Sequence, residues 1–261
     1  MEQRLEGGNA GGAVLVDGTV RRATGPWTPA VHALLRHLEQ EGFDGAPRVL
    51  GTDEQGREVL TFVPGLTVGA TKPWPAWVHS DDALVQVGRW LRRYHDCVRG
   101  FVPPADARWR IGSHAWRPGD VVGHDDAAPY NAVWTPQAPT RLVGFVDWDF
   151  ASPCPPVWDL AFTAFSWVPL HAREVVRAEG FDDFAARPAR LRLLLDAYGW
   201  AGSVPEVLDA VLARLAAHAD DARALAEGGD VLFRRLVEDG ALRGIAQAVR
   251  ELEESRAELE A

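Results

Sequence analysis

The densest run of polar side chains is Gly123-His124-Asp125-Asp126-Ala127-Ala128-Pro129-Tyr130-Asn131, set between the apolar stretches Val121-Val122 and Ala132-Val133-Trp134. Pro129 and the lack of a helical repeat put it on a loop between strands. Sixteen residues beyond Asn131, the segment Gly144-Phe145-Val146-Asp147-Trp148-Asp149 brings a carboxylate out of an apolar strand. Strand ends are places where a rigid frame holds polar groups over a cleft. Asp126, Asn131 and Asp147 all offer hard oxygen atoms, the ligands Mg²⁺ prefers, and Mg²⁺ takes only one or two of them from protein and the rest from phosphate and water. One carboxylate then stays available to accept the proton of an attacking hydroxyl. Phosphoryl transfer requires this division of labour. Taken singly, Asp126 and Asn131 could equally bond the backbone of their own loop, as Asp and Asn do in turns. The three together point to chemistry.

The elements that must position these groups fall into two stretches. Residues 13–16 and 19–23 flank Asp17-Gly18, a pair suited to a two-residue hairpin turn. Thr28 then reads as a helix cap with Pro29 at the first position. Val31, Leu34, Leu35 and Leu38 form the apolar stripe of that helix, and Gly42 ends it. A second hairpin is predicted over 48–51 and 58–63, followed by Pro64-Gly65. Beyond Gly65 the pattern turns helical. Ser80 caps a helix over 81–98, with Leu84, Val87, Leu91 and Tyr94 on one face. Short strands are expected at 121–122, 132–135 and 142–148, and helices from Pro156 onward. Ser203-Val204-Pro205-Glu206 is a capping box, and 231–259 reads as one long amphipathic pattern. The expected organisation is α+β, with a sheet-rich domain over 1–65, a mainly helical one over 66–261, and a site in the cleft between them.

Composition bounds the function. With 261 residues, 47% hydrophobic and 25% charged, the chain has ample core and is unlike a disordered segment. A formal charge of −10 argues against a nucleic-acid binder, which needs a basic face for phosphates. It suits a cationic partner, or simply solubility. No apolar run approaches the roughly 18–20 residues of a membrane helix, and Met1-Glu2-Gln3-Arg4 opens no secretory signal. Cys97 and Cys154 stand far apart and form no Cys-x-x-Cys, which fits a reducing cytoplasm. Lys72 is the only lysine, so roles that usually fall to lysine must fall to arginine.

His124-x-Asp126-x-x-x-x-Asn131, then Val146-Asp147-Trp148-Asp149, then Trp158-Asp159-Leu160-Ala161 together resemble the motifs of the aminoglycoside phosphotransferase and choline kinase-like family. That family is similar to protein kinases in fold and catalytic apparatus. The resemblance implies a two-lobed kinase-like fold, with a small N-terminal antiparallel sheet and one helix, and a larger, mainly helical C-terminal lobe. It implies Asp126 as the catalytic base toward a substrate hydroxyl, and Asn131 and Asp147 as Mg²⁺ ligands. His124 and Asp159 would brace the catalytic loop. Asp159 also reads as an ordinary carboxylate at a helix start.

The N-terminal part matches less closely. Gly7-Gly8-Asn9-Ala10-Gly11-Gly12 precedes the first strand where the family covers its nucleotide, so Gly8, Asn9 and Gly11 are candidate phosphate contacts. A flexible chain end is the alternative reading. The family's strand lysine is absent; Arg21 or Arg22 stands in its place. Strand alternation sends the two to opposite faces, and Arg22 is the residue chosen for the cleft. The resemblance also implies a partner glutamate for that cation in the early part of the following helix, but none is obvious there, where Val31 and His32 stand and Glu39 lies at the far end. Leu60-Thr61-Phe62-Val63-Pro64-Gly65 resembles the family's inter-lobe linker, which puts the backbone of Phe62 and Val63 on the purine.

These readings predict a Mg²⁺-dependent kinase that moves the γ-phosphate of ATP or GTP to a hydroxyl of a small acceptor. Acidic residues such as Asp182, Asp183, Asp220 and Asp221 would suit an amine-bearing acceptor such as an aminoglycoside, with antibiotic resistance as a consequence. The partners expected are the nucleoside triphosphate and the acceptor, with no nucleic acid and no membrane, in a monomer or homodimer. The competing reading is a catalytically weak kinase-fold protein that binds a nucleotide or metabolite. A third is a metal-dependent phosphohydrolase using His124-Asp125, which would need that doublet on a helix with further histidines converging.

Overall fold

The structure, a computed structural model, describes residues 2–5, 12–69, 71–112, 114–137 and 140–261. The glycine-rich candidates Gly8, Asn9 and Gly11 lie outside these residues. The chain packs as two compact units, Met1–Ala70 with Arg92–Pro156, and Thr71–Leu91 with Val157–Ala261. The first unit therefore takes in the expected N-terminal sheet and also the short strands that follow the expected boundary at Gly65.

Within the first unit, β1 (Gln3–Arg4), β2 (Val14–Val16), β3 (Thr19–Arg22), β4 (Val49–Thr52) and β5 (Glu58–Thr61) form an antiparallel sheet in the order β1-β2-β3-β5-β4. The two-residue turn forms as the sequence predicts, with Asp17 and Gly18 both at positive φ. β1 is an addition that its two exposed polar residues did not signal. Helix α1 (Thr28–Gln40) buries Val31, Leu34, Leu35 and Leu38 as its spacing requires. Its N-cap is Trp27 rather than Thr28; the Thr28 hydroxyl instead accepts from the Gly25 backbone N–H at 2.9 Å.

Helix α2 (Asp81–Val98) begins after Ser80, whose hydroxyl accepts from Ala83 N at 3.2 Å. Strands β6 (Val121–Gly123), β7 (Ala132–Trp134), β8 (Leu142–Phe145) and β9 (Ser152–Cys154) pair as β6-β9 and β7-β8. The expected strand over 142–148 stops at Phe145, because Asp147 adopts φ 65°, ψ 68° and residues Trp148–Phe150 make a 3-10 turn. Strand β9 is not signalled by its sequence: its Pro153 is a poor strand residue, tolerated because among the described residues β9 pairs with β6 alone.

The second unit is helical, with α3 (Pro156–Trp167), α4 (Arg173–Ala178), α5 (Arg187–Tyr198), α6 (Val204–Glu227), α7 (Val231–Glu238) and α8 (Ala241–Glu260); α3 takes its first residue, Pro156, from the first unit. The capping box at Ser203 and Glu206 is formed in both directions. The pattern over 231–259 is two helices rather than one, because Gly240 takes φ 94° between them, a left-handed backbone conformation that ends α7. Among the described residues, no helix is long and apolar enough to cross a membrane.

Candidate active site

The loop after β6 is built from the backbone outward. Asp125 takes φ 61°, unusual for a residue with a side chain. Its buried carboxylate is fixed by the Ser152 hydroxyl on β9 at 2.5 Å. His124 is fully buried, its ring 4.3 Å from Trp148 and 5.8 Å from Phe145 between centroids. Its Nδ1 accepts from the Asp126 backbone N–H at 3.3 Å. Asp126 is 8% exposed. Its Oδ1 accepts from the Tyr130 hydroxyl at 2.7 Å and its Oδ2 from Asn131 Nδ2 at 2.8 Å.

Asn131 ends a 3-10 turn, Pro129–Asn131, that leads directly into β7. Its Nδ2 also donates to the Asp126 carbonyl at 3.0 Å. Both acceptors demand an N–H, so the amide oxygen must point away from Asp126. The Asn131 carbonyl accepts from Val146 N at 3.0 Å, which ties the loop to the end of β8 one residue before Asp147. The close approach of Gly144 to Gly45 fixes β8 from its other side: a Cβ at Gly144 would lie 2.2 Å from the Gly45 carbonyl oxygen.

Asp147 holds a strained left-handed conformation, which costs about 1–3 kcal/mol. Its Oδ1 lies 3.1 Å from Arg22 Nη2. The same Nη2 lies 2.5 Å from Asp149 Oδ1, and Arg22 Nε lies 3.3 Å from Glu58 Oε1. Burial alone would lower the pKa of this guanidinium, but Asp147, Asp149 and Glu58 outweigh it and move it upward. Burial raises the pKa of Asp149, against the pull of Arg22. Arg110 Nη1 stands 3.5 Å from the other Asp149 oxygen.

A cavity of about 250 Å³ brings together part of this set; Asp126, Asp149 and Glu58 are not among its lining residues. Arg22, Asn131 and Asp147 line it, as do Tyr130, Phe62 and Val63, with Val20, Leu60, Val133 and Val146 as apolar wall. Every lining residue belongs to the first unit, from both sides of the boundary expected at Gly65. Arg21, on the opposite face of β3, is bonded to Thr19 and lies 3.7 Å from Asp53. Asp159 is fully buried in the first turn of α3, in the second unit.

Asn131 and Asp147 fit a divalent cation of the Mg²⁺ type. Among the described residues the Asn131 amide oxygen accepts no hydrogen bond, and with the Asp147 carboxylate it gives the cavity two hard oxygen donors. Among the described residues no three His, Cys, Asp or Glu side chains gather as a metal cluster, so the histidine convergence that a phosphohydrolase site needs is not found there.

The sequence reading passed over Glu58, Asp149, Tyr130 and His32 as members of the site. Glu58 carried no signal in the sequence, since its place opposite Arg22 follows from the β3–β5 register, where opposite charges favour cross-strand positions. Asp149 and Tyr130 each lie within two residues of a candidate and carried no separate pattern.

Residues 113–194 match the sequence profile of the phosphotransferase enzyme family. A trifolitoxin immunity protein from Rhizobium leguminosarum bv. trifolii is 38% identical over 199 residues, covering 75% of this chain and 73% of that protein. The chain belongs to the phosphotransferase enzyme family. Solved structures show the fold of this phosphotransferase. The GDP and kanamycin complex of APH(2")-IIia superposes with a TM-score of 0.55 at 15% identity, over 98% of this chain and 93% of the other. The macrolide 2'-phosphotransferase MphH from Brachybacterium faecium gives 0.56 at 16%, over 94% and 92%. The shared architecture is the protein-kinase-like fold, as the motifs implied.

Proposed function

We propose that this phosphotransferase is a Mg²⁺-dependent small-molecule kinase that transfers the γ-phosphate of ATP or GTP to a hydroxyl of its acceptor. The observation that carries this reading is the joint placement of Asn131. It bonds the Asp126 carboxylate with its nitrogen while it lines, with Asp147 and Arg22, one cavity. A base and a cation site are thereby held by a single side chain.

The nucleotide occupies the cavity, with its purine toward the backbone of Phe62 and Val63 and its phosphates toward Arg22. Asn131 and Asp147 would hold Mg²⁺, which when bound would screen the charge that builds on the transferring phosphoryl group. Asp126 accepts the proton of the acceptor hydroxyl and orients its oxygen toward the γ-phosphorus. Tyr130 and Asn131 keep that carboxylate in one orientation. His124 supports the loop from inside, since its ring is buried and its Nδ1 is used on the Asp126 backbone.

The acceptor is a small, amine-bearing natural product. An aminoglycoside is the model compound, in line with the kanamycin bound by one structural relative and with the acidic balance of the chain. The immunity named for the Rhizobium relative suits a chain that protects its host by modifying a toxic compound. The test is Asp126→Ala, assayed for nucleotide affinity and for turnover over a panel of amino sugars and amino alcohols. A general base contributes about 10²–10⁴-fold, so turnover should fall by that factor while nucleotide affinity holds. Unaltered turnover in this variant overturns the base assignment.

A further inference from the structure

In kinase-like enzymes as the resemblance describes them, a strand cation contacts the phosphates and a helix glutamate steadies it. Helix α1 has no acidic residue in its first turn, and Glu39 is exposed at its far end. Something else must hold Arg22, because a long side chain without a fixed partner loses rotamer freedom when it binds.

We propose that Glu58 and His32 are the positioning residues for Arg22, so that the strand cation is steadied from within its own sheet and the helix is joined to it by a histidine. This rests on the kinase reading above. Glu58 is directly opposite Arg22 in the β3–β5 register and is 3% exposed. Its two carboxylate oxygens are divided between two elements. Oε1 lies 3.3 Å from Arg22 Nε on β3, and Oε2 lies 2.9 Å from His32 Nε2 on α1. His32 is itself buried, so the helix cannot shift without moving the carboxylate. The polarity of the usual arrangement is thereby reversed: the acid sits on the sheet and the nitrogen donor on the helix.

The geometry also accounts for arginine at this position. A guanidinium has five N–H donors in a rigid fork, whereas an ammonium is a compact point charge. Arg22 uses Nε on Glu58 and Nη2 on Asp147 and Asp149. Nη1 carries two more donors for a phosphate oxygen. Because Glu58 and Asp149 both remain on the guanidinium, Asp147 is able to serve a cation without leaving Arg22 unpaired.

The experiment is a double-mutant cycle read by nucleotide binding. Mg·ATP and Mg·GTP are titrated against the unaltered chain, Glu58→Gln, His32→Gln, Arg22→Ala and the two doubles with Arg22→Ala. Glu58→Gln should weaken binding about tenfold and His32→Gln about threefold, within the range of coupled neighbours. Both effects should vanish in the Arg22→Ala background, since each acts only through that side chain. A merely structural role would lower the melting temperature and weaken binding equally in both backgrounds. Additive effects, or single variants within twofold of the unaltered chain, overturn the proposal. If Glu58→Gln does not fold, the His32→Gln cycle decides alone. No nucleotide binding by the unaltered chain overturns the kinase reading and this assignment with it.

Discussion

Arg22 in the first unit and Lys72 in the second are both cations held by carboxylates, and they are held for different ends. Arg22 meets three acids, Glu58, Asp147 and Asp149, at 3.3, 3.1 and 2.5 Å. Among the described residues Lys72 meets one, Glu179, at 2.7 Å, and lies 5.3 Å over the Trp74 ring. Two guanidinium groups, Arg22 and Arg110, among three carboxylates leave a surplus that another cation can satisfy, beside a cavity that admits it. One charge against one is a closed pair. Charge surplus at a cavity marks a site of exchange, and charge balance marks a fastening.

The largest break in that comparison is Asp147→Asn. Turnover should fall on the order of 10³-fold, the scale of lost transition-state charge stabilisation, while Arg22 keeps two carboxylates and stability stays within about 1 kcal/mol. A steady-state assay beside a thermal melt checks both halves.

Lys72→Met should do the opposite, with turnover unchanged and stability lower by about 1–3 kcal/mol. Removing one member of a buried pair strands the other charge, and the partial exposure of Lys72 tempers the loss. The pH dependence follows from Glu179. Burial raises its pKa above the ordinary 4.5, against the opposing hydrogen bond and charge of Lys72. A carboxyl raised in the folded state supports the fold fully below 4.5 and less as pH rises through its folded value. Without Lys72 that folded value rises further. The deficit of the variant should therefore be full at neutral pH and disappear as pH falls below 4.5, measurable by denaturant titration across the acid range.

The smallest effect sets the zero of the comparison. Ser203→Ala removes the capping box of α6, far in sequence from both ion pairs. It should cost about 0.5–1 kcal/mol, with turnover and its pH profile unmoved.

Local physics made much of this molecule readable in one dimension. Asp17-Gly18 demands its turn, the stripe of α1 demands its buried face, Ser203 with Glu206 demands a helix start, and the motif from His124 to Asp159 carried the family. Where the reading failed, the deciding contact came from elsewhere in the chain. Asp147 leaves strand geometry because the Asn131 carbonyl and the 3-10 turn after it hold the backbone there, and no propensity announces that. The grouping of Arg22 with Glu58, 36 residues away, and with Asp147 and Asp149, well over a hundred residues on, depends on which strands become neighbours. Periodicity and caps are set within a few residues, so composition and spacing determine them. Electrostatic grouping is set by register and burial, which exist only once the sheet has formed and water has left it.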